Sequence, residues 1–146
     1  MANYCLDSNV VSDILRGDPE VMRHMKAAEK NNDHLFIPSI VYYEVVRGLK
    51  AAGKKNKFLA FQIFYDEAEH LSLDMNAIEK SIEIYLQLHK GQMIEDNDIY
   101  IAAMSMVNEC TLVTANVRHF SRVEGLKFVN WRQRDVASSG RAESLQ

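Results

Sequence analysis

The sequence predicts an α/β fold, a three-layer arrangement with a central parallel β-sheet of about five strands flanked by α-helices. Short apolar runs alternate with longer stretches of helical period along nearly the whole chain. The helical stretches also carry residues typical of helix ends. In order, the runs that predict strands are 4–6, 35–37, 70–73, 112–114 and 128–131.

Six stretches between these runs have the spacing of amphipathic helices. Asp18, which precedes Pro19, and Asp74 are residues that favour helix starts. Gly53 and Gly91 favour helix ends. The predicted helices are 9–16, 19–31, 39–51, 54–66, 74–90 and 97–109.

The length and composition predict one globular domain. The chain has 146 residues, of which 47% are hydrophobic and 25% are charged. We expect the domain to span 1–135 and the small, polar residues 136–146 to form a flexible tail. Two cysteines, Cys5 and Cys110, lie in or beside apolar runs and are expected to be buried free thiols.

The sequence gives no indication of a membrane protein. No apolar run approaches the ~20 residues that span a bilayer. The first residues lack a basic stretch followed by an apolar signal core. We therefore expect a soluble protein of the cytoplasm.

The net charge of −3, from 17 basic and 20 acidic residues, does not indicate nucleic-acid binding through a strongly positive field. Any contact with a nucleic acid must be local. Basic residues form two clusters, and a solvated helix face or a solvated tail is the simpler interpretation of each one alone. The first cluster is Arg47, Lys50, Lys54, Lys55 and Lys57, and the second is Arg118, His119, Arg122, Arg132 and Arg134.

Two polar residues directly follow predicted strands. Ligands of parallel α/β sheets bind beyond the carboxyl ends of the strands, so such residues are candidates for chemistry. Asp7 follows the first strand and Asn116 follows the fourth. Helix capping is the alternative for Asp7 and its neighbours Ser8 and Asn9, because all three side chains accept bonds from free amides.

Two further acids are predicted to face inward from helices. Glu44 lies beside the apolar stripe of helix 39–51, and a charge directed toward the core is usually paired, metal-bound or at the rim of a cleft. An ion pair with Arg47 or Lys50 is the alternative. At the start of helix 97–109, Asp98 fits a site better, whereas Asp96 fits a helix cap better.

Asp7, Glu44 and Asp98 can therefore converge at one edge of the sheet. Carboxylates that are close together raise one another's pKa unless a cation joins them. A set of oxygen ligands without histidine or cysteine suits Mg²⁺ or Mn²⁺. A metal held in this way activates water for attack on a phosphodiester, and the basic clusters would hold flanking phosphates. The residues thus point to a metal-dependent nuclease.

At these residues the sequence resembles the PIN-domain family, and within it the VapC-like ribonuclease toxins of type II toxin–antitoxin systems. The order and spacing of the matching segments fit the family over nearly the whole chain up to Trp131. The segments are 4–12, 38–48, 95–103 and 112–126.

The resemblance implies an endoribonuclease that holds Mg²⁺ or Mn²⁺ with Asp7, Glu44 and Asp98. It assigns auxiliary roles to the side chains that support this set: Ser8, Asn9, Asp96 and Asn116. Substrate contacts are expected from Arg47, Arg118 and His119. It further implies a homodimer and a VapB-like antitoxin that inserts a basic or apolar segment near the acidic pocket.

Three alternatives remain at this stage. An aspartyl-phosphate phosphatase would also place an acid at Asp7, but it requires a second acid two residues later, where this chain has Asn9. A PIN-fold RNA-processing nuclease without an antitoxin has the same site. A non-catalytic binding module has the same fold, since fold alone does not establish activity. A small upstream antitoxin reading frame would distinguish a toxin from a processing enzyme.

Overall fold

A single five-stranded sheet forms the centre of the computed structural model, which describes residues 1–133. Its strands are β1 (Asn3–Leu6), β2 (His34–Pro38), β3 (Glu69–Leu71), β4 (Thr111–Val113) and β5 (Phe128–Val129). All pairings are parallel and the strand order is β3-β2-β1-β4-β5. The parallel sheet of five strands predicted from the sequence is confirmed, although β3 and β5 end earlier than expected.

Helices connect the strands, as the alternating pattern predicts. They are α1 (Ser8–Arg16), α2 (Pro19–Lys30), α3 (Ser39–Ala51), α4 (Lys55–Glu67), α5 (Met75–Gln87), α6 (Asp96–Val107) and α7 (Val117–Phe120). The short helix α7 was not predicted, because one turn is too short to show a period. Among residues 1–133, no helix has both the length and the apolar character needed to cross a membrane.

The helix-end signals are mostly correct. The Asp18 carboxylate accepts a bond from the Val21 amide at 3.1 Å, and the Asp74 carboxylate accepts one from the Ala77 amide at 3.0 Å. Gly53 follows α3 with a φ of 67°, a conformation that glycine adopts without strain. The prediction for Gly91 is wrong, because α5 ends at Gln87 and Gly91 lies in the following loop.

The core lies on both sides of the central strands. β1 pairs with β2 on one side and β4 on the other, and Leu6, Ile37 and Leu112 are fully buried. Helix α6 is buried along most of its length. Cys5 and Cys110 are buried and free, as the sequence predicted. This buried centre fixes β1, β4 and α6 relative to one another. The positions of the residues at the ends of these elements are fixed as a result.

The chain after β5 packs back onto the first two helices. The Trp131 ring meets the Tyr4 ring edge-on at 5.3 Å and stacks on His24 at 5.7 Å. Arg132 donates two hydrogen bonds, of 2.6 and 3.1 Å, to the carboxylate of Asp13, a fully buried residue of α1. Arg132 is therefore an anchor for α1, and its interpretation as part of a solvated tail is wrong. The predicted flexible tail, 136–146, lies outside the described residues.

Replacing Arg132 with alanine should destabilise the fold. The buried Asp13 carboxylate would keep Arg16 as a partner but lose both bonds from Arg132. A hydrogen bond to a charged group contributes about 1.5–3 kcal/mol to stability. Because the Arg132 guanidinium is half-exposed and screened by solvent, we expect a total loss of about 1–3 kcal/mol. Urea unfolding measures it. Lys80→Ala, which removes an exposed pair with Glu83, is the control and should change the free energy of unfolding by less than about 1 kcal/mol. Equal effects of the two substitutions would contradict the anchoring role.

Candidate active site

Asp7 lies at the carboxyl end of the central strand β1, where it is 4% exposed. It is the N-cap of α1, and its Oδ1 accepts a bond from the Ser8 amide at 2.8 Å. Its other oxygen, Oδ2, accepts bonds from Thr114 Oγ1 at 2.7 Å and from Asn9 Nδ2 at 3.3 Å. Asp7 therefore caps α1 and also lies among the candidate acids, because Oδ1 accepts the capping bond while Oδ2 accepts bonds from Thr114 and Asn9.

The loop after β4 is tied to Asp7 through the same side chains. The Asn9 Oδ1 accepts a bond from the Ala115 amide at 3.2 Å, and Thr114 Oγ1 accepts one from the Asn116 amide at 2.9 Å. Thr114 is fully buried. The two strand ends that carry Asp7 and Asn116 thus form one hydrogen-bonded unit.

Glu44 projects from the second turn of α3 and is half-buried. Its Oε2 accepts a bond from Asn97 Nδ2, in the first turn of α6, at 3.1 Å. The alternative of an ion pair with Arg47 or Lys50 is wrong for the described residues, because Arg47 instead contacts Tyr43. The bond from Asn97 holds Glu44 next to the start of α6.

Asp98 faces the loop after β4 from the first turn of α6. Its side chain is 18% exposed, and its Oδ2 lies 3.5 Å from His119 Nδ1. The same nitrogen lies 2.9 Å from Asn116 Nδ2. When Nδ1 is protonated it can donate to Asp98, and when it is bare it accepts from the Asn116 amide, so the two contacts alternate.

The three carboxylates are close enough to perturb one another. Burial raises the pKa of Asp7 to about 6, the bonds from Thr114 and Ser8 oppose the rise, and the charges of Asp98 and Glu44 add to it. Burial also raises the pKa of Asp98, the bond from His119 lowers it, and the charge of Glu44 raises it further. Asp7, Glu44 and Asp98 therefore share one electrostatic environment at the carboxyl edge of the sheet.

This acidic group is open rather than a closed metal cage. Within residues 1–133, no three acidic, histidine or cysteine side chains are grouped tightly enough to hold an ion between them. Mg²⁺ commonly keeps several waters and is held by only one or two carboxylates, so it does not require such a cage. The buried Asp7 carboxylate with its raised pKa, and the oxygen-only donor set, fit a hydrated hard cation.

The remaining predicted residues differ in their surroundings. Asp96 is exposed in the first turn of α6, whose N-cap is Glu95, so the prediction that Asp96 caps this helix is wrong. Arg118 is exposed on α7, beside His119. Ser8 contributes its backbone amide to Asp7. For these three residues a role in the site stays a prediction.

Sequence reasoning missed two side chains that organise the site. Thr114 was assigned only to a strand, although a hydroxyl at the buried carboxyl end of a strand is a signal for a hydrogen bond at the site. Asn97 lies between the two candidate acids Asp96 and Asp98, and its spacing alone does not show that it reaches Glu44. That contact depends on how α3 and α6 pack.

The parallel sheet and the acids at its carboxyl edge define an α/β protein with an open acidic site. The model of the PIN domain family matches residues 4–126, and the chain belongs to that family. The resemblance read from the four segments is thereby confirmed, and the relatives lie within the VapC group.

The chain is similar over most of its length to known members. It is 26% identical over 136 residues to Ribonuclease VapC1 of Haemophilus influenzae, covering 88% of this chain and 97% of that protein. It is 26% identical over 133 residues to the tRNA(fMet)-specific endonuclease VapC of Salmonella typhimurium, covering 90% and 99%.

A solved structure has the same fold. It is the crystal structure of VapBC2 from Rickettsia felis bound to a DNA fragment from their promoter. The match has a TM-score of 0.81 and 26% identity, and it covers 88% of this chain and 98% of that chain. The fold inferred from the sequence pattern is confirmed by this likeness.

The raised pKa of Asp7 predicts that the chelator-treated protein loses stability as the pH rises from about 4 to about 6. In this range the folded state binds more protons than the unfolded state, whose Asp has a pKa of about 3.9. The contribution is complete below about pH 4 and is lost above about pH 6, with a maximum of about 3 kcal/mol.

Urea unfolding with chelator, followed across this range for the unsubstituted protein and Asp7→Asn, isolates the contribution from other titrating groups. The difference in free energy of unfolding between the two proteins should shift in favour of Asp7→Asn as the pH rises. A difference that does not change with pH would contradict the assigned environment of Asp7.

Proposed function

We propose that this chain is a cytoplasmic, Mg²⁺- or Mn²⁺-dependent endoribonuclease that acts as the toxin of a toxin–antitoxin pair. The observation that carries the proposal is the meeting of Asp7, Glu44 and Asp98 at the carboxyl edge of the sheet. The names of the relatives support ribonuclease activity: one is a ribonuclease and another is an endonuclease specific for tRNA(fMet).

The metal would be held by Asp7 and Asp98, with Glu44 beside them. When bound there, a divalent cation would lower the pKa of its bound water and would neutralise charge on the scissile phosphate. Asp7 is fixed by Ser8, Asn9 and Thr114, so its carboxylate needs no reordering to bind. The other predicted site residues would orient these carboxylates or contact the substrate at the rim of the site.

Two residues at the rim are suited to contact the substrate phosphate. His119 directs Nδ1 toward Asn116 and Asp98, and its side chain is 40% exposed. Its other ring nitrogen is available as a donor to a phosphate oxygen whenever Nδ1 acts as the acceptor from Asn116. Arg118 is exposed on the same short helix and adds a positive charge.

We further propose a VapB-like antitoxin as partner and a homodimer as the assembled form. Solved VapBC complexes contain a chain with this fold, and the match covers 98% of one such chain and 99% of another. A basic antitoxin side chain placed in the open acidic group would compete with the metal and neutralise the carboxylates. Such competition gives a direct physical route to inhibition.

An aspartyl-phosphate mechanism is not favoured. That mechanism needs an acid two residues after Asp7 to protonate the leaving group. Asn9 occupies the position, and both ends of its amide are engaged with Asp7 and the Ala115 amide.

Cleavage of a small-RNA pool by the purified, antitoxin-free protein tests the activity. With Mg²⁺ or Mn²⁺ we expect discrete products that disappear with chelator and with Asp98→Asn, because both changes remove the metal from the site. An identically prepared Asp98→Asn protein also controls for a contaminating nuclease. Equal cleavage by both proteins, or none by the folded, metal-supplied wild type, would overturn the proposal in favour of a binding module.

Asn97→Ala should weaken metal binding without removing a metal ligand. The substitution deletes the donor that holds Glu44, and loss of such a supporting bond typically costs about 10–100-fold in metal affinity. Titration with Mn²⁺, followed by electron paramagnetic resonance, gives the affinity independently of cleavage. Asn76→Ala, an exposed asparagine on α5, is the matched control and should bind Mn²⁺ like the wild type. Unchanged affinity in Asn97→Ala would show that this bond does not position Glu44.

A further inference from the structure

A strip of positive charge begins beside the acidic site and continues to the turn between α3 and α4. We call it the α3–α4 basic strip. The interval 45–65 contains these basic residues and no acidic residue, in a chain whose net charge is −3. The remainder of the chain is therefore more negative than the total suggests. The strip consists of Arg47, Lys50, Lys54, Lys55 and Lys57.

The strip starts next to a residue of the site. Arg47 is three positions after Glu44 on α3, and residues at this spacing are neighbours on a helix surface, with about 5–6 Å between their Cβ atoms. Lys50 is one turn further, so the charge extends about 9 Å along α3 from Glu44. An anionic chain leaving the acidic site in this direction meets successive positive charges.

The positive charges of the strip have no acidic partner among residues 1–133. None of its five residues forms an ion pair with an acid in the part of the chain that the structure describes. Lys57 is half-buried, and the other four side chains lie at exposed positions. By contrast, three other basic residues of the described chain have acidic partners: Arg132 and Arg16 bind Asp13, and Lys80 pairs with Glu83.

Aromatic rings order the part of the strip nearest the site. The Arg47 guanidinium lies 4.9 Å from the centre of the Tyr43 ring, and its Nη1 donates to the Tyr43 hydroxyl at 3.3 Å. Lys50 lies 5.0 Å above the Phe58 ring of α4, which joins the two helices into one surface. Tyr43 is 54% exposed. Exposed aromatic rings interleaved with cations are typical of surfaces that bind single-stranded nucleic acid.

We infer that the α3–α4 basic strip binds the single-stranded RNA that flanks the scissile phosphate and positions it across the acidic site. Phosphates would contact the lysines and Arg47, and a base would stack on Tyr43. The inference rests on the proposed ribonuclease function and adds to it the side of the site on which the RNA lies. An acidic polypeptide lacks bases for Tyr43, which favours RNA as the occupant.

RNA binding by matched charge variants tests this inference. All variants carry Asp98→Asn, so binding is measured without cleavage. The strip variant adds Lys50→Gln, Lys54→Gln and Lys55→Gln, and the control variant adds Lys26→Gln, Lys30→Gln and Lys127→Gln. All six lysines are exposed, and both variants lose the same charge. The probe is a labelled single-stranded RNA of about 16 nucleotides, measured by fluorescence anisotropy from about 50 to 200 mM salt.

The strip variant should bind the RNA at least about tenfold more weakly at the lowest salt. The slope of log affinity against log salt should decrease by about 2, because each phosphate contact on a single strand contributes about 0.7. The control variant should keep both the affinity and the slope. Equal losses in the two variants, or no loss in either, would overturn the inference, since bulk charge or another surface would then account for binding.

Two further outcomes separate the strip from the enzyme activity. If the wild type does not cleave RNA but the strip variant alone loses RNA binding, the ribonuclease proposal fails; the strip then binds RNA, but its role beside a scissile phosphate is overturned. If the wild type cleaves RNA and the strip variant binds it normally, the strip inference fails alone. Polyglutamate is the competing ligand: selective loss of polyglutamate binding, with RNA binding intact, would assign the strip to an acidic polypeptide and overturn the inference.

Discussion

The buried carboxylate of Asp7 is the constraint on which the rest of the site depends. A carboxylate at the end of a central strand is removed from water, and this is unfavourable unless donors surround it. The chain supplies donors from three places: the Ser8 amide, the Asn9 amide group and the Thr114 hydroxyl. The donors do not restore its usual acidity, since its pKa is still raised to about 6. The site is thus held in a state that the proposed cation would stabilise.

Much of the fold followed from local pattern, and much of the site followed from position in that fold. Asp7 was found because it follows a strand, and Glu44 and Asp98 because they share a face with apolar residues. Asn97 was not found, because its bond to Glu44 joins two helices that are far apart in sequence. Helix periods give the direction of a side chain, whereas packing between helices decides which partner it meets.

The predicted helix boundaries were wrong where local sequence signals compete with packing. Asp96 is of a residue type that favours the N-cap, yet α6 begins one residue earlier than predicted, and the Asp96 side chain forms no hydrogen bond within the described residues. The buried residues of α6 set its register, so the apolar contacts decide where the first turn falls. This register is also what directs Asp98 toward His119 and leaves Asp96 exposed.

The two basic clusters look alike in the sequence, but the structure separates them. In the second cluster Arg132 binds Asp13, Arg122 donates to the Met93 carbonyl at 3.3 Å and His119 contacts Asn116, whereas Arg118 is exposed and forms no ion pair with the described residues. Arg134 lies outside the described residues. The first cluster makes no ion pair with the described residues and borders Glu44. A charge engaged within the fold contributes little to capture of an anion, whereas a charge without an internal partner can displace counterions from a nucleic acid. Composition alone cannot make that distinction, because the fold decides which acidic side chains lie next to each basic side chain.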